Sequence, residues 1–131
     1  MPESRELRDH AKELAEVVGV VVEIIEREQR VYVLSKKVTL PVGFFKQAET
    51  DLLFITDYQY PLSALDMFWV EPGVVRADGS VPQNADSIET HLDRQWRRYS
   101  WHRNGIWNPA RNGLLDHYAF VEARWAVEKK P

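Results

Sequence analysis

The first half of the chain changes from a helical to a strand-like pattern of apolar residues. Residues 3–16 are mostly charged, with apolar side chains at helical spacing and Ser4 available as a cap, which predicts an amphipathic first helix. β-Branched and aromatic runs then predict four strands, at residues 17–25, 30–40, 51–56 and 66–70. Because consecutive strands with short connections pair readily with their neighbours, we expect an antiparallel meander.

The second half predicts two further helices. Residues 86–100 and 113–129 each place large apolar side chains three or four positions apart, as on one face of a helix. The first of these stripes consists of Ile88, Leu92, Trp96 and Tyr99. We expect it to be buried against the rest of the domain. The last helix would end in Lys129-Lys130, a basic end that suits the helix dipole.

The order helix, strands, helices indicates an α+β fold. With 131 residues and 44% hydrophobic content, the chain is large enough to bury one core, so we expect residues 1–131 to form a single domain. We expect Phe54, Trp69 and Trp125 to lie in that core.

Composition narrows the functional classes. The chain has 17 Lys and Arg against 20 Asp and Glu, a balance that does not suit a dedicated nucleic-acid or membrane-surface protein. Residues 17–22 form the longest near-unbroken apolar run, which is too short to span a bilayer, and residues 1–6 contain no apolar signal region. We therefore expect a soluble, cytoplasmic protein. The absence of cysteine excludes a cysteine nucleophile, a thioester and a cysteine-ligated metal.

Short motifs occur in a characteristic order in the second half. Tyr60-Pro61 precedes a predicted strand, Asp78-Gly79 forms a turn, and Trp107-Asn108-Pro109-Ala110 precedes the last helix. This order resembles the ubiquitin-conjugating enzyme (UBC) fold. Three more motifs look like those of a divergent prokaryotic branch of that superfamily: Leu40-Pro41-Val42-Gly43, Leu65-Asp66-Met67-Phe68-Trp69 and Trp96-Arg97-Arg98-Tyr99-Ser100-Trp101-His102.

The resemblance implies partners and a binding cleft. It implies a bacterial pathway in which a ubiquitin-like modifier, an adenylating activating enzyme and often a peptidase work together, and some related systems are associated with defence against phage. It also implies that the modifier and the activating enzyme bind in a cleft between the fourth strand and Trp107. The residues expected at this cleft are Tyr60, Pro61, Pro82, Trp101 and Trp107.

The sequence departs from the superfamily where catalysis would occur. The superfamily's cysteine position falls near Pro82, and no neighbour up to Asn84 can form a thioester. Val70-Glu71-Pro72-Gly73 stands where conventional members have a histidine-proline-asparagine step that supports the oxyanion. About two dozen residues separate Pro82 from Trp107, a longer insertion than is usual. The sequence alone leaves two roles open, a modifier carrier with another nucleophile and a noncovalent adaptor.

A hydroxyl can replace the missing thiol if a base lies within hydrogen-bond reach. The hydroxyls available in this region are those of Ser80, Ser87, Thr90 and Ser100. Ser100 with His102 is the preferred pair for an oxyester with the modifier, and Thr90 with His91 is the second. The competing interpretation of both pairs is a polar helix surface, because neighbouring side chains on a helix point apart.

Metal and nucleic-acid sites are the alternatives. The spacing of His91, His102 and His117 does not resemble a recognised zinc or iron site, so we predict no metal and no cofactor. Arginines alternate with aromatic residues in residues 94–103, a composition that can stack bases and contact phosphates. A nucleic-acid-binding module is therefore the alternative function, although aromatic core contacts and a basic solvent face explain the same residues. Steep loss of affinity with added salt would support it.

Overall fold

A computed structural model describes residues 4–103 and 105–128 of the chain. Within them, two helices and six strands follow one another as α1 Arg5–Val18, β1 Val22–Arg27, β2 Arg30–Thr39, β3 Glu49–Thr56, β4 Phe68–Val70, β5 Ser87–His91, β6 Arg94–Tyr99 and α2 Leu114–Ala126. The strands form one antiparallel sheet in the order β1-β2-β3-β4-β6-β5. The α+β class and the meander of the first four strands are therefore confirmed.

Both predicted terminal helices are present. Ser4 caps α1 by accepting a hydrogen bond from the Leu7 N–H at 3.1 Å, and the apolar stripe that includes Leu7 and Leu14 is buried. The last helix is present as α2. The predicted first residue of α1, Glu3, and the basic end Lys129-Lys130 lie outside the described residues. In the described part of the chain, neither helix is long and apolar enough to cross a membrane.

The first strand begins later than predicted, because α1 continues into the valines assigned to that strand. Val17 and Val18 are helical, and Gly19 ends the helix with φ 78° while its N–H donates to the Ala15 carbonyl at 2.9 Å. Glycine adopts this left-handed conformation at little cost, so its position outweighs the β preference of the valines. The strand itself starts at Val22.

Residues 86–100 contain a β-hairpin, so the helix predicted there is wrong. β5 pairs along its whole length with β6, and Leu92-Asp93 joins the two strands. Trp96 is fully buried, as expected, but Ile88 is 42% exposed and Tyr99 is buried in a different apolar cluster. Successive strand residues point to opposite faces, so Trp96 and Tyr99 each reach a separate apolar layer. A single helical stripe cannot reach both layers.

The sheet is apolar on both faces. The face toward the helices carries the main core, which includes Phe54 and Trp125. The opposite face carries a second cluster formed by Tyr32, Leu34, Leu53, Trp69 and Trp96. The tip of the β5–β6 hairpin reaches β1, where Asp93 Oδ2 lies 3.0 Å from Arg27 Nη1. All three residues predicted for the core are buried, although Trp69 belongs to the second cluster.

Candidate functional site

The chain between β4 and β5 passes through the position that the resemblance assigns to the superfamily's cysteine. Pro82 is buried there and has no N–H to donate. The Gln83 N–H donates to Glu128 Oε1 at 3.2 Å, and the Gln83 carbonyl accepts a hydrogen bond from Trp101 Nε1 at 2.9 Å. The backbone of this segment is therefore fixed by side chains from the rest of the domain.

Glu128 is a buried carboxylate just beyond the end of α2. It is 2% exposed, and its Oε2 accepts hydrogen bonds from Arg76 Nε at 2.8 Å and from Arg76 Nη2 at 2.7 Å. The negative end of the helix dipole disfavours a carboxylate near the C-terminus of a helix. A buried charge is also unfavourable unless an opposite charge or hydrogen-bond donors lie next to it. The guanidinium of Arg76 supplies both. Together with Gln83, it joins the chain on both sides of Pro82 to the end of α2.

Trp101 is held against the same segment by the last turn of α2. The guanidinium carbon of Arg124 lies 3.5 Å from the centre of the Trp101 ring. A cation over the face of an indole is attractive, so this contact helps to keep the indole N–H directed at Gln83. Two of the predicted cleft residues are therefore next to Gln83: Pro82 precedes it in the chain, and Trp101 is bonded to its carbonyl.

The other three predicted cleft residues form a separate cluster. Trp107 Nε1 donates to the Pro61 carbonyl at 2.8 Å, and the rings of Tyr60 and Trp107 lie 6.3 Å apart. Tyr60 is 1% exposed, its hydroxyl lies 2.6 Å from His10 Nδ1 of α1, and burial raises its pKa. Tyr60 therefore packs in the interior, whereas Pro61 and Trp107 are partly accessible.

Two large apolar side chains are exposed next to the hydrogen bond between Pro61 and Trp107. Leu62 is 73% exposed and Ile106 is 96% exposed. The hydrogen bond places the Trp107 indole beside the backbone that leads from Pro61 into Leu62, and Ile106 is the residue just before Trp107 in the chain. We call Leu62, Ile106 and Trp107 the apolar patch.

Ser100 and His102 are bonded to other side chains. Ser100 Oγ accepts a hydrogen bond from Arg98 Nε at 2.8 Å, and His102 Nδ1 donates to Asp66 Oδ2 at 2.5 Å. Over the described residues, no hydrogen bond joins Ser100 to His102. The Asp66 carboxylate favours the tautomer of His102 in which Nε2 is an acceptor, and that is the form that can act as a base.

His91 belongs to a network centred on Glu89. Glu89 Oε1 accepts hydrogen bonds from His91 Nε2 and Trp69 Nε1, both at 2.9 Å, and Oε2 accepts one from Arg98 Nη1 at 2.6 Å. Burial alone would raise the pKa of Glu89, but these hydrogen bonds and the charge of Arg98 outweigh it and lower the pKa. Thr90 is exposed and, as the strand neighbour of His91, points to the opposite face.

Arginines of residues 94–103 make contacts within the domain. Arg94 Nη1 lies 2.9 Å from Asp51 Oδ2. Arg97 donates to the Pro72 carbonyl from Nε at 3.0 Å and from Nη2 at 2.8 Å. These guanidinium groups connect the hairpin to β3 and to the turn after β4, so they have a structural role.

His117 joins α2 to the start of β4. It is 0% exposed, its Nε2 donates to the Met67 carbonyl at 2.7 Å, and its Nδ1 accepts from Arg103 Nη1 at 3.3 Å. Burial lowers its pKa to about 4, so the ring is neutral at pH 7. Among the residues that the structure describes, no three His, Asp or Glu side chains are grouped so as to hold a metal ion.

The sequence pattern does not predict three residues of this region, Asp66, Arg124 and Glu128. Each acts through a partner distant in sequence, as Glu128 does through Gln83, 45 residues away. The sequence contains a local indication only for Glu128. It is an acidic residue just after α2, where the helix dipole favours a basic side chain.

Comparison with known proteins identifies the family. The family model of prokaryotic E2 family E, E2 being the ubiquitin-conjugating enzyme class, matches residues 7–128. Searches among curated proteins and among solved structures gave no match. E2-like proteins act in general with a ubiquitin-like modifier and its activating enzyme. Since the match covers nearly the whole of this cysteine-free chain, the chain belongs to prokaryotic E2 family E.

Proposed function

We propose that this chain is an E2-like adaptor that binds a ubiquitin-like modifier and its activating enzyme without forming a covalent bond to the modifier. The observation that supports this most directly is Gln83, whose N–H and carbonyl are both bonded to side chains of the domain. Acyl transfer needs a nucleophile and hydrogen-bond donors for the oxyanion. Pro82 offers neither group, and without a bound ligand the N–H of Gln83 donates to Glu128.

The role as an oxyester carrier has weaker support. Ser100 and His102 are bonded to other side chains rather than to each other. Ser80 is a hydroxyl near Pro82 in sequence, and its Oγ donates to Asp78 Oδ1 at 2.6 Å. A hydrogen bond to a carboxylate does not by itself make a hydroxyl a nucleophile, because carboxylates are generally weak bases at neutral pH.

The nucleic-acid alternative also has weaker support. Bases stack on accessible aromatic rings, but Trp96 is fully buried. Arg94 is paired with Asp51, and Arg98 is paired with Glu89. The arrangement favours the interpretation in which the aromatic residues of this segment belong to the core.

We place partner binding at the apolar patch. Leu62 and Ile106 are mostly exposed, each is a chain neighbour of a residue in the bond between Pro61 and Trp107, and exposed apolar patches mark protein interaction sites. Trp107 is partly buried and held by Pro61, and rigid tryptophans contribute strongly to binding energy at interfaces. We further propose a UBC-like arrangement in which the β5–β6 hairpin is the insertion between Pro82 and Trp107.

Leu62→Asp and Ile106→Asp test this placement. Each introduces a carboxylate into a surface that docking would bury, so we expect the Kd for the activating enzyme to rise by about tenfold or more. The unfolding midpoint should stay unchanged, because both side chains are exposed. Val42→Asp is the matched control, since Val42 is 94% exposed in the turn after β2. Calorimetry that gives the same Kd for all three variants and the wild type would refute the placement.

A further inference from the structure

The contacts of Glu128 are those of a bound carboxylate. Arg76 donates from Nε at 2.8 Å and from Nη2 at 2.7 Å to Oε2, and the Gln83 N–H donates to Oε1 at 3.2 Å. Three N–H donors from the chain around Pro82 thus surround one carboxylate. Arginine often binds carboxylates through paired N–H donors, and here both donors point to Oε2 while the Gln83 N–H serves Oε1. We call the Arg76 guanidinium and the Gln83 N–H the carboxylate cradle.

A further polar group near the cradle has no partner. Tyr99 is 0% exposed, and its hydroxyl makes no hydrogen bond to the described residues. Its pKa is raised by burial first and then by the charge of Glu128, while Arg97, Arg76 and Arg124 act in the opposite direction. The hydroxyl is therefore within electrostatic range of the cradle. A buried donor without an acceptor is unfavourable, so a ligand that reached it would gain a hydrogen bond.

Glu128 follows α2 rather than forming part of it. It lies two residues beyond Ala126, the last residue of α2, so it can leave the cradle without unwinding the helix. The Arg76 side chain is 21% exposed, and its Nη1 lies 3.4 Å from Ser80 Oγ, where a hydrogen bond is weak. The Arg76 side chain is therefore partly accessible to solvent, and its Nη1 is the most weakly held of its donors.

We propose that the cradle binds the C-terminal carboxylate of an extended peptide, and that Glu128 is the internal ligand which competes with it. That the peptide is the tail of the modifier rests on the function proposed above. The exchange makes and breaks no covalent bond, since one carboxylate replaces another on Arg76 and Gln83. The bound tail would end beside Pro82, at the position where the resemblance places the missing cysteine.

Acetylglycylglycine and its C-terminal amide are the two probes. Each is titrated into the full chain, and the NMR signal of the Gln83 amide reports binding. Glu128→Gln should bind the acid at least about tenfold more tightly than the wild type, because the internal competitor has lost its charge. Adding Arg76→Gln should remove binding, and the amide should not bind to any variant. Glu122→Gln is the matched control, because it makes the same charge change on the exposed side of α2 and should leave the affinity unchanged.

Equal affinity of Glu128→Gln and Glu122→Gln for the acid would overturn this inference, as would equal binding of the acid and the amide. If Glu128→Gln fails to fold, Glu128→Asp gives a second test: its shorter side chain should also tighten binding of the acid, and unchanged affinity would count against the cradle. The proposals about the carboxylate cradle and the apolar patch can be refuted independently. Leu62→Asp can lose the activating enzyme while acetylglycylglycine does not bind, and then only the cradle is wrong.

Discussion

Single buried polar side chains connect α2 to the rest of the domain. His117 donates to the Met67 carbonyl, and Glu128 accepts hydrogen bonds from Arg76 and Gln83. In each case, loss of one partner leaves a buried polar group unsatisfied, which is penalised more heavily than the bond itself is worth. These contacts fix the position of α2, and burial keeps the His117 ring neutral at pH 7.

Acid should therefore destabilise the fold through His117. Its pKa is about 4 in the folded chain, against 6.5 for an unperturbed histidine. Below about pH 6.5 the unfolded chain binds a proton that the folded chain does not, so stability is full above this pH and is lost as the pH falls toward 4. We expect His117 to account for a loss of about 2 kcal/mol in the free energy of unfolding between pH 7 and pH 5.

Guanidinium unfolding at the two pH values measures this loss. His117→Leu should be less stable at pH 7 but should show a smaller drop on acidification, because the titrating group is gone. His102→Gln is the control, since the His102 side chain is 74% exposed, and it should keep the drop seen in the wild type. If His117→Leu loses as much stability as the wild type between pH 7 and pH 5, the prediction is wrong.

The two β-hairpins share a turn conformation but have different surroundings. The central residues all have positive φ, with 53° at Glu28, 67° at Gln29, 54° at Leu92 and 62° at Asp93. This is the conformation of the type I′ turn, in which asparagine and glycine are preferred. The β1–β2 turn is exposed, whereas Leu92 packs on the second apolar cluster and Asp93 pairs with Arg27.

Placing Asn-Gly in each turn separates backbone strain from side-chain contact. Glu28→Asn with Gln29→Gly should raise the free energy of unfolding by about 1 kcal/mol, because it relieves strain at positive φ. Leu92→Asn with Asp93→Gly relieves the same strain but removes an apolar contact and an ion pair, so we expect a net loss of about 1 kcal/mol. Thermal unfolding compares the two. Equal stabilisation in both hairpins would mean that the Leu92-Asp93 tip contributes nothing to the second face.

Helical spacing of apolar residues predicts a helix correctly only where those residues face a single layer. Both α1 and α2 follow this rule, and their apolar stripes were predicted together with the helices. β6 does not, because Trp96 and Tyr99 are three positions apart, as on a helix, yet a strand directs them to opposite faces of the sheet. The Leu92-Asp93 turn also lacks the asparagine or glycine that would have indicated a hairpin.

The domain combines an E2-like order of motifs with a segment, around Pro82, whose backbone is bonded to side chains of the domain and to which the resemblance assigns the missing cysteine. Pro61 and Trp107, which are bonded to each other, both belong to motifs that carry the resemblance. The sequence was therefore sufficient to predict that they lie in the same region. It contained far less about Glu128, because no local pattern indicates that a residue after the last helix binds the backbone of Gln83. This contact is what separates an adaptor from a carrier in our account.

The central claim is that the chain forms no covalent bond to the modifier, and intact mass after incubation with activating enzyme, modifier and ATP tests it most directly. We predict the mass of the unmodified chain in reactions where the activating enzyme itself becomes loaded, with a reaction lacking ATP as the control. An added mass equal to that of the modifier, stable to reducing agent and cleaved by mild base, would be an oxyester and would contradict the account. Loss of that adduct in Ser100→Ala, and its slower formation in His102→Ala, would then make Ser100 the carrier residue and His102 its base.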